Sequence, residues 1–231
     1  MNNRKITTIV ALFLFWGSIY GQYNPIVAPA DSKISDIFSP SVRYMYPQFV
    51  EGEIVLQNGL SSTYMINYNM FHDEIEFINN NDTLTIGRKR ELKYAIAESD
   101  TFIYAPGYMK FIYGQKLKVY CKDKFYLKEI LKRGAMGAVN RTAAIASYSY
   151  VDDLAAISYN LVVTDDHVFK REITYYIATS NGAFEPIKKK NILKLFSFNK
   201  GEVKKYLKDN KINFEKQEDV IKFAKFLETL I

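Results

Sequence analysis

Apolar and polar residues alternate along much of the chain between residues 42 and 130, and this is the period of half-buried β-strands. The apolar and β-branched stretch 52–57 is followed by Asn58-Gly59, a dipeptide that favours the positive φ angles of a tight turn. Residues 62–68 form the expected return strand. This hairpin predicts an antiparallel sheet in which short turns connect neighbouring strands.

A second hairpin is expected where the sequence reads HDEIEFINNNDTLTIG. Glu74 and Glu76 alternate with apolar residues, and the polar run 79–82 then turns the chain. We expect the glutamates to face water and the apolar residues to face the core, as in antiparallel sheets with one solvated face. Further strands are expected at 83–86, 93–98, 101–105, 108–113, 116–130, 156–163, 168–179 and 183–187.

From Lys188 onward the apolar residues recur at intervals of three or four, the period of an amphipathic helix. Asn199 is expected to be the N-cap of one helix, with Glu202 three residues later in a variant of the capping box, and Asn210 is expected to end it. A last helix is expected over about residues 216–230. The side chains expected to face inward are Ile192, Leu193, Phe196, Val203, Tyr206, Leu207, Val220, Phe223, Ala224, Leu227 and Leu230.

The start of the chain, MNNRKITTIVALFLFWGSIYGQ, has a different pattern. The basic pair Arg4 and Lys5 precedes an apolar run at 6–19, which has the length of a signal-peptide core and is short for a spanning helix of roughly 20 residues. We expect cleavage between Gly21 and Gln22, and the alternative is an uncleaved membrane anchor. The sequence therefore predicts export through the Sec pathway to the periplasm or the cell exterior, with no integral membrane span after cleavage.

The expected fold class is α+β: a mainly antiparallel β-sheet, arranged as a meander, a sandwich or a barrel-like body, followed by two to three C-terminal helices. The only cysteine, Cys121, alternates with lysines, and we expect it to be a small buried hydrophobe. It lies far from the cleavage point, so a lipoprotein is not expected. The expected segments are a signal peptide at 1–21, an extended, poorly ordered leader at 22–40, an antiparallel β domain at 41–187 and a helical tail packed on it at 188–231.

The net charge of +6 is unevenly distributed. Residues 188–231 contain twelve lysines and six acidic residues, whereas residues 22–187 have a net charge near −2. A basic tail could bind anionic lipid, lipopolysaccharide or nucleic acid. The lysines are interleaved with acids, as on an ordinary solvated helix, and an exported chain is remote from nucleic acid. We therefore expect no nucleic-acid partner.

Two stretches resemble a known group of proteins. They are GEIVLQNG with INYNMFHDEIEFINNNDTLTI, within residues 52–86, and NILKLFSFNKGEVKKYLKDNKINFEKQEDVIKFAKFLETLI, residues 191–231. Both are similar to secreted proteins common in Bacteroidota, especially flavobacteria. The resemblance implies a signal peptide, a β-rich body and a helical tail. It implies no activity, because the group has none assigned, and it transfers no catalytic residue.

Candidate chemistry is sparse. The sequence has no nucleophile elbow, phosphate-binding loop, dinucleotide fingerprint or metal-binding motif, so we expect no catalytic residue, cofactor or metal. A loop rich in Gly and Ala begins near residue 131 and leads to aromatic residues and paired carboxylates. Because binding residues are common on long loops above a rigid sheet, this loop is the candidate ligand surface. Its candidate binding residues are Arg141, Tyr148, Tyr150, Asp152 and Asp153.

Three functions are compatible with this sequence. The first is a non-enzymatic, envelope-associated or periplasmic module that binds an envelope protein or a glycan. The second is a secreted hydrolase of glycan or peptide that uses carboxylates near Asp152 and Asp153. The third is a carrier of small apolar ligands inside the β body.

One modification is also compatible with the sequence. Asp82-Thr83-Leu84 resembles the O-glycosylation motif of Bacteroidota, and Thr83 is expected to face outward.

Overall fold

The computed structural model describes residues 24–105, 107–133, 139–140, 158–179 and 182–231. The strands are β1 Ile26–Ala28, β2 Val50–Leu56, β3 Ser61–Asn69, β4 Glu74–Asn79, β5 Asp82–Thr85, β6 Leu92–Ala97, β7 Asp100–Ala105, β8 Gly107–Tyr113, β9 Val119–Arg133, β10 Val139–Asn140, β11 Asp166–Ala178 and β12 Phe184–Pro186. The helices are α1 Ile34–Ile37, α2 Pro40–Arg43, the 3₁₀ helix Lys89–Glu91, α3 Lys189–Leu195, α4 Lys200–Asp209 and α5 Gln217–Glu228.

The strands form one open antiparallel sheet, so the predicted α+β class is confirmed. Its order is β1-β11-β9-β8-β7-β6-β2-β3-β4-β5, with β12 paired to β11 and the short β10 paired to β9. All neighbours from β6 to β9 and from β2 to β5 are consecutive in the chain, as the short turns predict. The remaining pairings are long-range: β2 pairs with β6, and β11 lies between β9 and the N-terminal strand β1.

Local turn chemistry explains the two predicted hairpins. Gly59 has a φ of +87° in the β2–β3 turn, as expected from Asn58-Gly59. Asn80 and Asn81 have φ values of 50° and 68° in the β4–β5 turn, and asparagine tolerates this left-handed region better than most residues. Positive φ at both central positions matches the right-handed twist of the flanking strands.

The expectation that Glu74 and Glu76 face water is wrong. Both side chains are buried, together with Asn67 and Asn69 on the neighbouring strand β3. Tyr44 and Tyr46, from the segment between β1 and β2, hydrogen-bond to Glu76 and Asn67, and Lys89 of the 3₁₀ helix pairs with Glu74. Alternation distinguishes two faces of a strand, but it does not show which other segment covers the polar face.

The expectation of a poorly ordered leader at 22–40 is wrong for residues 24–40. β1 pairs with β11, and the following chain forms α1 and α2. Ala28, Ile34 and Phe38 have no exposed surface. The leader is therefore part of the sheet and of its core, and the expected boundary at residue 41 does not separate two bodies.

The expected strand at 156–163 is wrong for residues 158–163. This segment makes a single bridge, between Lys33 and Val162. Its backbone instead hydrogen-bonds to the leader, where the N–H groups of Asp31 and Ile34 donate to the carbonyls of Val163 and Leu161 at 2.7 and 3.0 Å. These hydrogen bonds to residues 31–34 of the leader replace the sheet pairing that the alternation over 156–163 predicted.

Two hydrophobic cores lie along the sheet. The aromatic core contains Phe38, Tyr68, Phe71, Phe102, Tyr108, Phe125 and Phe169 together with smaller apolar residues. The tail core joins α3, α4 and α5 to the sheet through Val119, Cys121, Tyr175 and Ile177, with Ile192, Val203, Val220, Phe223, Ala224 and Leu227 from the helices. The long strands β9 and β11 contribute to both cores.

The C-terminal helices form where their apolar period predicts them. Phe223 and Leu227 each have only 1% of their surface exposed, and Val220 has none. Asn199 is the N-cap of α4, as expected, but its side chain makes no capping hydrogen bond. None of the helices in the described part of the chain is both long and apolar enough to cross a membrane.

Candidate functional site

A group of polar side chains lies under the leader, at the end of the β3–β4 hairpin. Glu76 accepts hydrogen bonds from the Tyr44 hydroxyl and from Asn69 Nδ2, both at 2.6 Å. Asn69 Nδ2 also donates to the Tyr159 hydroxyl at 2.6 Å. We call Tyr44, Asn69, Glu76 and Tyr159 the Glu76 cluster. It connects three parts of the chain that are distant in sequence: the end of α2, the hairpin and segment 158–163.

Arg43 and His72 lie against the aromatic side of this cluster. The Arg43 guanidinium carbon is 4.3 Å from the centre of the Tyr159 ring and 5.0 Å from that of Tyr44. The His72 and Tyr159 ring centres are 4.3 Å apart. Arg43 Nη1 also donates to the Phe38 carbonyl at 3.2 Å. Cation–π contacts of this kind stabilise a partly desolvated guanidinium, so they hold the end of α2 against segment 158–163.

The hydrogen bonds of the Glu76 cluster and the raised pKa values of its two tyrosines suit a structural role. Burial, followed by the hydrogen bond to Glu76, raises the pKa of Tyr44 to about 12. Burial also raises the pKa of Tyr159 above its ordinary value. Both phenols therefore keep their protons near neutral pH, and the carboxylate of Glu76 accepts from Tyr44 and Asn69. Buried donors and acceptors that satisfy one another fix a unique arrangement of the chain.

Asp73 is the centre of a second polar group, in the turn between β3 and β4. Its Oδ1 accepts from the Tyr68 hydroxyl at 2.9 Å and from the Tyr108 N–H at 3.2 Å, and its Oδ2 is 3.0 Å from Lys122 Nζ. Gly107 has a φ of +90°, and a Cβ at this position would overlap the Lys122–Asp73 ion pair. The start of β8 therefore requires glycine at position 107, where the backbone passes the Lys122–Asp73 ion pair.

A bidentate ion pair lies next to these groups on β9 and β11. Arg171 Nε and Nη2 donate to the two carboxylate oxygens of Asp123 at 2.8 and 2.7 Å. Arg171 also lines a cavity of about 200 Å³ together with Asn24, Ile26, Ser41, Val42 and Phe125. Because this carboxylate occupies the guanidinium fork, Arg171 serves first to join the two strands.

Cys121 lies in the tail core, and the expectation that it is a buried hydrophobe is confirmed. It has 5% of its surface exposed, and burial raises the pKa of its thiol to about 12. The reactive form of cysteine is the thiolate. A thiol with this pKa is almost entirely protonated near neutral pH, so Cys121 is poorly suited to act as a nucleophile.

Glu228 attaches the last helix to the sheet. One carboxylate oxygen accepts from the backbone N–H groups of Gln115, Lys116 and Leu117 at 3.1, 2.8 and 2.9 Å. The other accepts from the Tyr113 hydroxyl at 2.7 Å. The hydrogen bonds from Tyr113 and the backbone lower the pKa of Glu228 to about 2. The carboxylate is therefore ionised at neutral pH and holds the end of α5 at the β8–β9 turn.

The exposed side chains of α3, α4 and their flanking residues are strongly basic. Between residues 188 and 211 the chain has nine lysines and two acidic residues. All nine lysines are exposed. We call this surface the basic face, and its lysines are Lys188, Lys189, Lys190, Lys194, Lys200, Lys204, Lys205, Lys208 and Lys211. The concentration of positive charge in α3 and α4 makes this part of the molecule attractive to anions.

An exposed aromatic residue interrupts the basic face. Phe198 lies in the turn between α3 and α4, and its exposed surface is 102% of the reference value for phenylalanine. Leu195, three residues earlier, is 40% exposed. Phe196 between them is buried in the tail core, which fixes the turn on the body. Exposed apolar residues that stand on a charged surface are common at binding sites.

The structure tests few of the predicted site residues. Arg141, Tyr148, Tyr150, Asp152 and Asp153 lie outside the described residues, as do Gly21 and Gln22 at the expected cleavage point. Thr83 lies on β5, whose four residues are all exposed, in agreement with the expectation that it faces outward. No group of three or more His, Cys, Asp or Glu side chains in the described ranges is arranged to hold a metal ion.

Sequence reasoning missed the Glu76 cluster and the Asp73 group. The available signal was the density of polar residues at one end of the hairpin, where Asn67, Asn69, Glu74 and Glu76 all fall on the same side of β3 and β4. Four polar side chains on one face are equally compatible with a face in contact with water, where they need no protein partner. The pattern alone therefore does not reveal the cluster. Tyr44, which follows α2, and Tyr159 supply its remaining groups.

Comparison with protein-family models found no match for the chain, and neither did comparison with curated proteins or with solved structures. The resemblance to secreted proteins of Bacteroidota stays a prediction.

Proposed function

We propose that the protein is exported and acts at the cell envelope as a non-enzymatic binding module. The observation that carries the proposal is the fully exposed Phe198 on the basic face. A phenylalanine in this setting contributes nothing to the core of its own chain, and burying it against a partner would remove apolar surface from water. The signal-like pattern of residues 6–19 and the resemblance to secreted proteins support the location.

The polar groups of the sheet support a structural role for the β body. Glu76 and Asp73 each accept several hydrogen bonds from their own chain, and Asp123 is held in a bidentate ion pair with Arg171. General acids, bases and nucleophiles must instead be free to exchange protons with a substrate. These groups are therefore better explained as the connections that hold the leader, the hairpin and the long strands together.

The other two functions have less support. A hydrolase based on Asp152 and Asp153 depends on residues outside the described ranges. A carrier of small apolar ligands needs a pocket of roughly 300–1,000 Å³. In the described part of the chain, the cavity beside Arg171 has about 200 Å³, and the aromatic core is closely packed, with the ring centres of Phe38 and Phe71 only 4.3 Å apart.

Native co-purification tests the binding function. The protein should be recovered with a defined envelope component after mild extraction and affinity capture through an added C-terminal tag. We expect Phe198→Ser to reduce this recovery, and we expect Leu60→Ser to leave it unchanged. Leu60 is the matched control because it is 65% exposed in the β2–β3 turn, outside the basic face. Recovery of background proteins alone with the wild-type chain would contradict the proposal.

The location has a separate test. Intact-mass measurement of the chain from fractionated cells should give a product that begins at Gln22 and is enriched outside the cytoplasm. A chain that retains residues 1–21 and remains in the cytoplasm would contradict export.

A further inference from the structure

We infer that the partner of the basic face is an anionic lipid bilayer, which Phe198 enters while the surrounding lysines contact the headgroups. This inference rests on the proposed binding function and identifies the chemistry of the partner. The surface is formed by α3, α4 and the turn between them. We call residues 195–199 the insertion turn.

The geometry of the insertion turn favours shallow entry into a bilayer. Phe198 protrudes completely, and Leu195 adds a second exposed apolar side chain. The buried Phe196 and Ile192 lie on either side of Leu195 in the chain and anchor the turn in the tail core. Ser197 and Gly201 are exposed, and no atom other than those of its chain neighbours and its own helix backbone lies within 4 Å of the position where a Cβ would stand on Gly201. A protruding aromatic residue on a rigid support can enter the interface without unfolding the protein.

The charges around the insertion turn select an anionic surface. Lys194 and Lys200 flank it directly, and Lys204, Lys205 and Lys208 follow on α4. Basic residues next to exposed apolar side chains are the combination by which peripheral helices bind anionic membranes, because the lysines attract the headgroups and the apolar residues enter the acyl boundary. The rest of the chain after residue 21 has a net charge near −2, so the attraction is confined to the tail.

A protein groove fits these observations less well. Stable protein interfaces have an apolar centre with charged residues reduced in number. Here lysines flank the insertion turn on both sides, and its apolar surface consists mainly of two side chains. A polyanion such as nucleic acid would use the lysines but would give Phe198 no apolar environment. A bilayer accounts for both kinds of group.

Tryptophan fluorescence tests the inference directly. The chain has one tryptophan, Trp16, so the double variant Trp16→Phe, Phe198→Trp carries its only tryptophan in the insertion turn. We expect vesicles of phosphatidylcholine with phosphatidylglycerol to shift the emission of this residue to shorter wavelength. Vesicles of phosphatidylcholine alone should leave it unchanged. This tryptophan reports the environment of the insertion turn, and Trp16→Phe removes any emission from the segment 6–19.

Charge and position controls complete the experiment. In the same background, Lys194→Gln and Lys200→Gln should each weaken the anionic-vesicle response by about five-fold. A control chain with Trp16→Phe and Leu60→Trp should show no shift. No shift with anionic vesicles, or an equal shift with neutral vesicles, would overturn the inference. So would binding of heparin or duplex DNA that leaves vesicles without effect.

The outcomes separate this inference from the proposed function. If a protein or glycan co-purifies in a Phe198-dependent manner and vesicles have no effect on the tryptophan, the binding function stands and the lipid partner is wrong. If neither vesicles nor any envelope component binds the insertion turn, both the binding function and the lipid partner are wrong.

Discussion

The two cores of this protein are built in different ways. The tail core is apolar throughout its helical part, and its helices place Val220, Phe223 and Leu227 on one face. The aromatic core is adjoined by a polar cluster, in which Glu76 and Asn69 are buried between the sheet and the leader. The difference shows that the same sheet is stabilised in two ways. In one part, the apolar faces of helices pack against it, and in the other, buried polar side chains hydrogen-bond to one another.

The two cores tolerate different substitutions. An apolar helix face gains stability from the area that it removes from water, so it accepts other apolar residues of similar volume. The Glu76 cluster requires each donor to meet its acceptor, because an unpaired buried polar group costs about 1–3 kcal/mol. The leader is therefore fixed in one arrangement, whereas the tail depends more on volume than on exact chemistry.

The largest expected effects come from removing one aromatic ring from each core. Phe38→Ala and Phe223→Ala should each lower the free energy of unfolding by about 3–5 kcal/mol, because both side chains are almost fully buried. Phe38 packs against Phe71, Phe125 and Phe169 with ring centres 4.3, 5.0 and 4.9 Å apart. Chemical denaturation followed by circular dichroism measures both effects.

Cys121 can show whether the cores open separately. Because its thiol is buried in the tail core, Phe223→Ala should accelerate its reaction with a disulfide reagent under native conditions more than Phe38→Ala does. The comparison should be made at denaturant concentrations that give both variants equal global stability. Equal acceleration by the two variants would show that the cores open as one unit and would remove the distinction.

An intermediate effect is expected at the Glu76 cluster. Glu76→Gln keeps the size of the side chain but replaces one acceptor oxygen with a donor, so either the Asn69 N–H or the Tyr44 O–H loses its acceptor. We expect a loss of about 1–3 kcal/mol in the free energy of unfolding. Glu51→Gln on β2 is the control, because Glu51 is exposed, and it should change stability by less than about 0.5 kcal/mol. Equal effects at the two positions would mean that the cluster contributes nothing specific.

The contrast also explains what the sequence could predict. The hairpins follow from local rules, since Asn58-Gly59 and the run 79–82 favour positive φ angles whatever the rest of the chain does. The tail helices follow from the period of their own apolar residues. These features depend on neighbours in sequence, so a single stretch carries the information.

The leader and the Glu76 cluster depend on contacts between distant segments. Ile26 pairs with Phe169, and Tyr44 meets Glu76, although no short stretch of sequence contains both members of either pair. The prolines of the leader suggested disorder, yet Pro40 begins α2, a position where proline fits because it needs no N–H donor. Alternation placed Glu76 on the correct face, but only the tertiary structure shows what covers that face.

A smaller effect is expected at Glu228, where the tail meets the sheet through a carboxylate. Its pKa is lowered from 4.5 to about 2 in the folded protein, so its contribution to stability is fully present above about pH 4.5 and is lost as the pH falls through 2. Glu228→Gln should destabilise the protein at neutral pH, and the difference from wild type should disappear toward pH 2. Denaturant midpoints measured between pH 2 and pH 6 provide the comparison.

Glu218→Gln is the matched control for this pH dependence, because Glu218 is exposed in the first turn of the same helix. It should leave the slope of stability against pH close to that of wild type. A slope that is unchanged in Glu228→Gln would show that the carboxylate does not hold the tail.

The smallest effect on stability is expected at Thr83. This residue is exposed on the edge strand β5, so Thr83→Ala should change the free energy of unfolding by less than about 0.5 kcal/mol. If the O-glycosylation motif is used, the exported wild-type chain should carry glycan mass that the variant lacks. Intact-mass measurement decides this, and a wild-type chain without added mass would exclude the modification.

The pairing of β1 with β11 determines the order in which the chain can complete its fold. Ile26 has no strand partner until Phe169 is available, and Phe38 finishes packing only when both Phe125 and Phe169 are present. Closing so long a loop is entropically costly and slow. A nascent chain that ends before β11 would therefore keep its N-terminal apolar residues exposed. During this time, other proteins can bind the unfolded polypeptide.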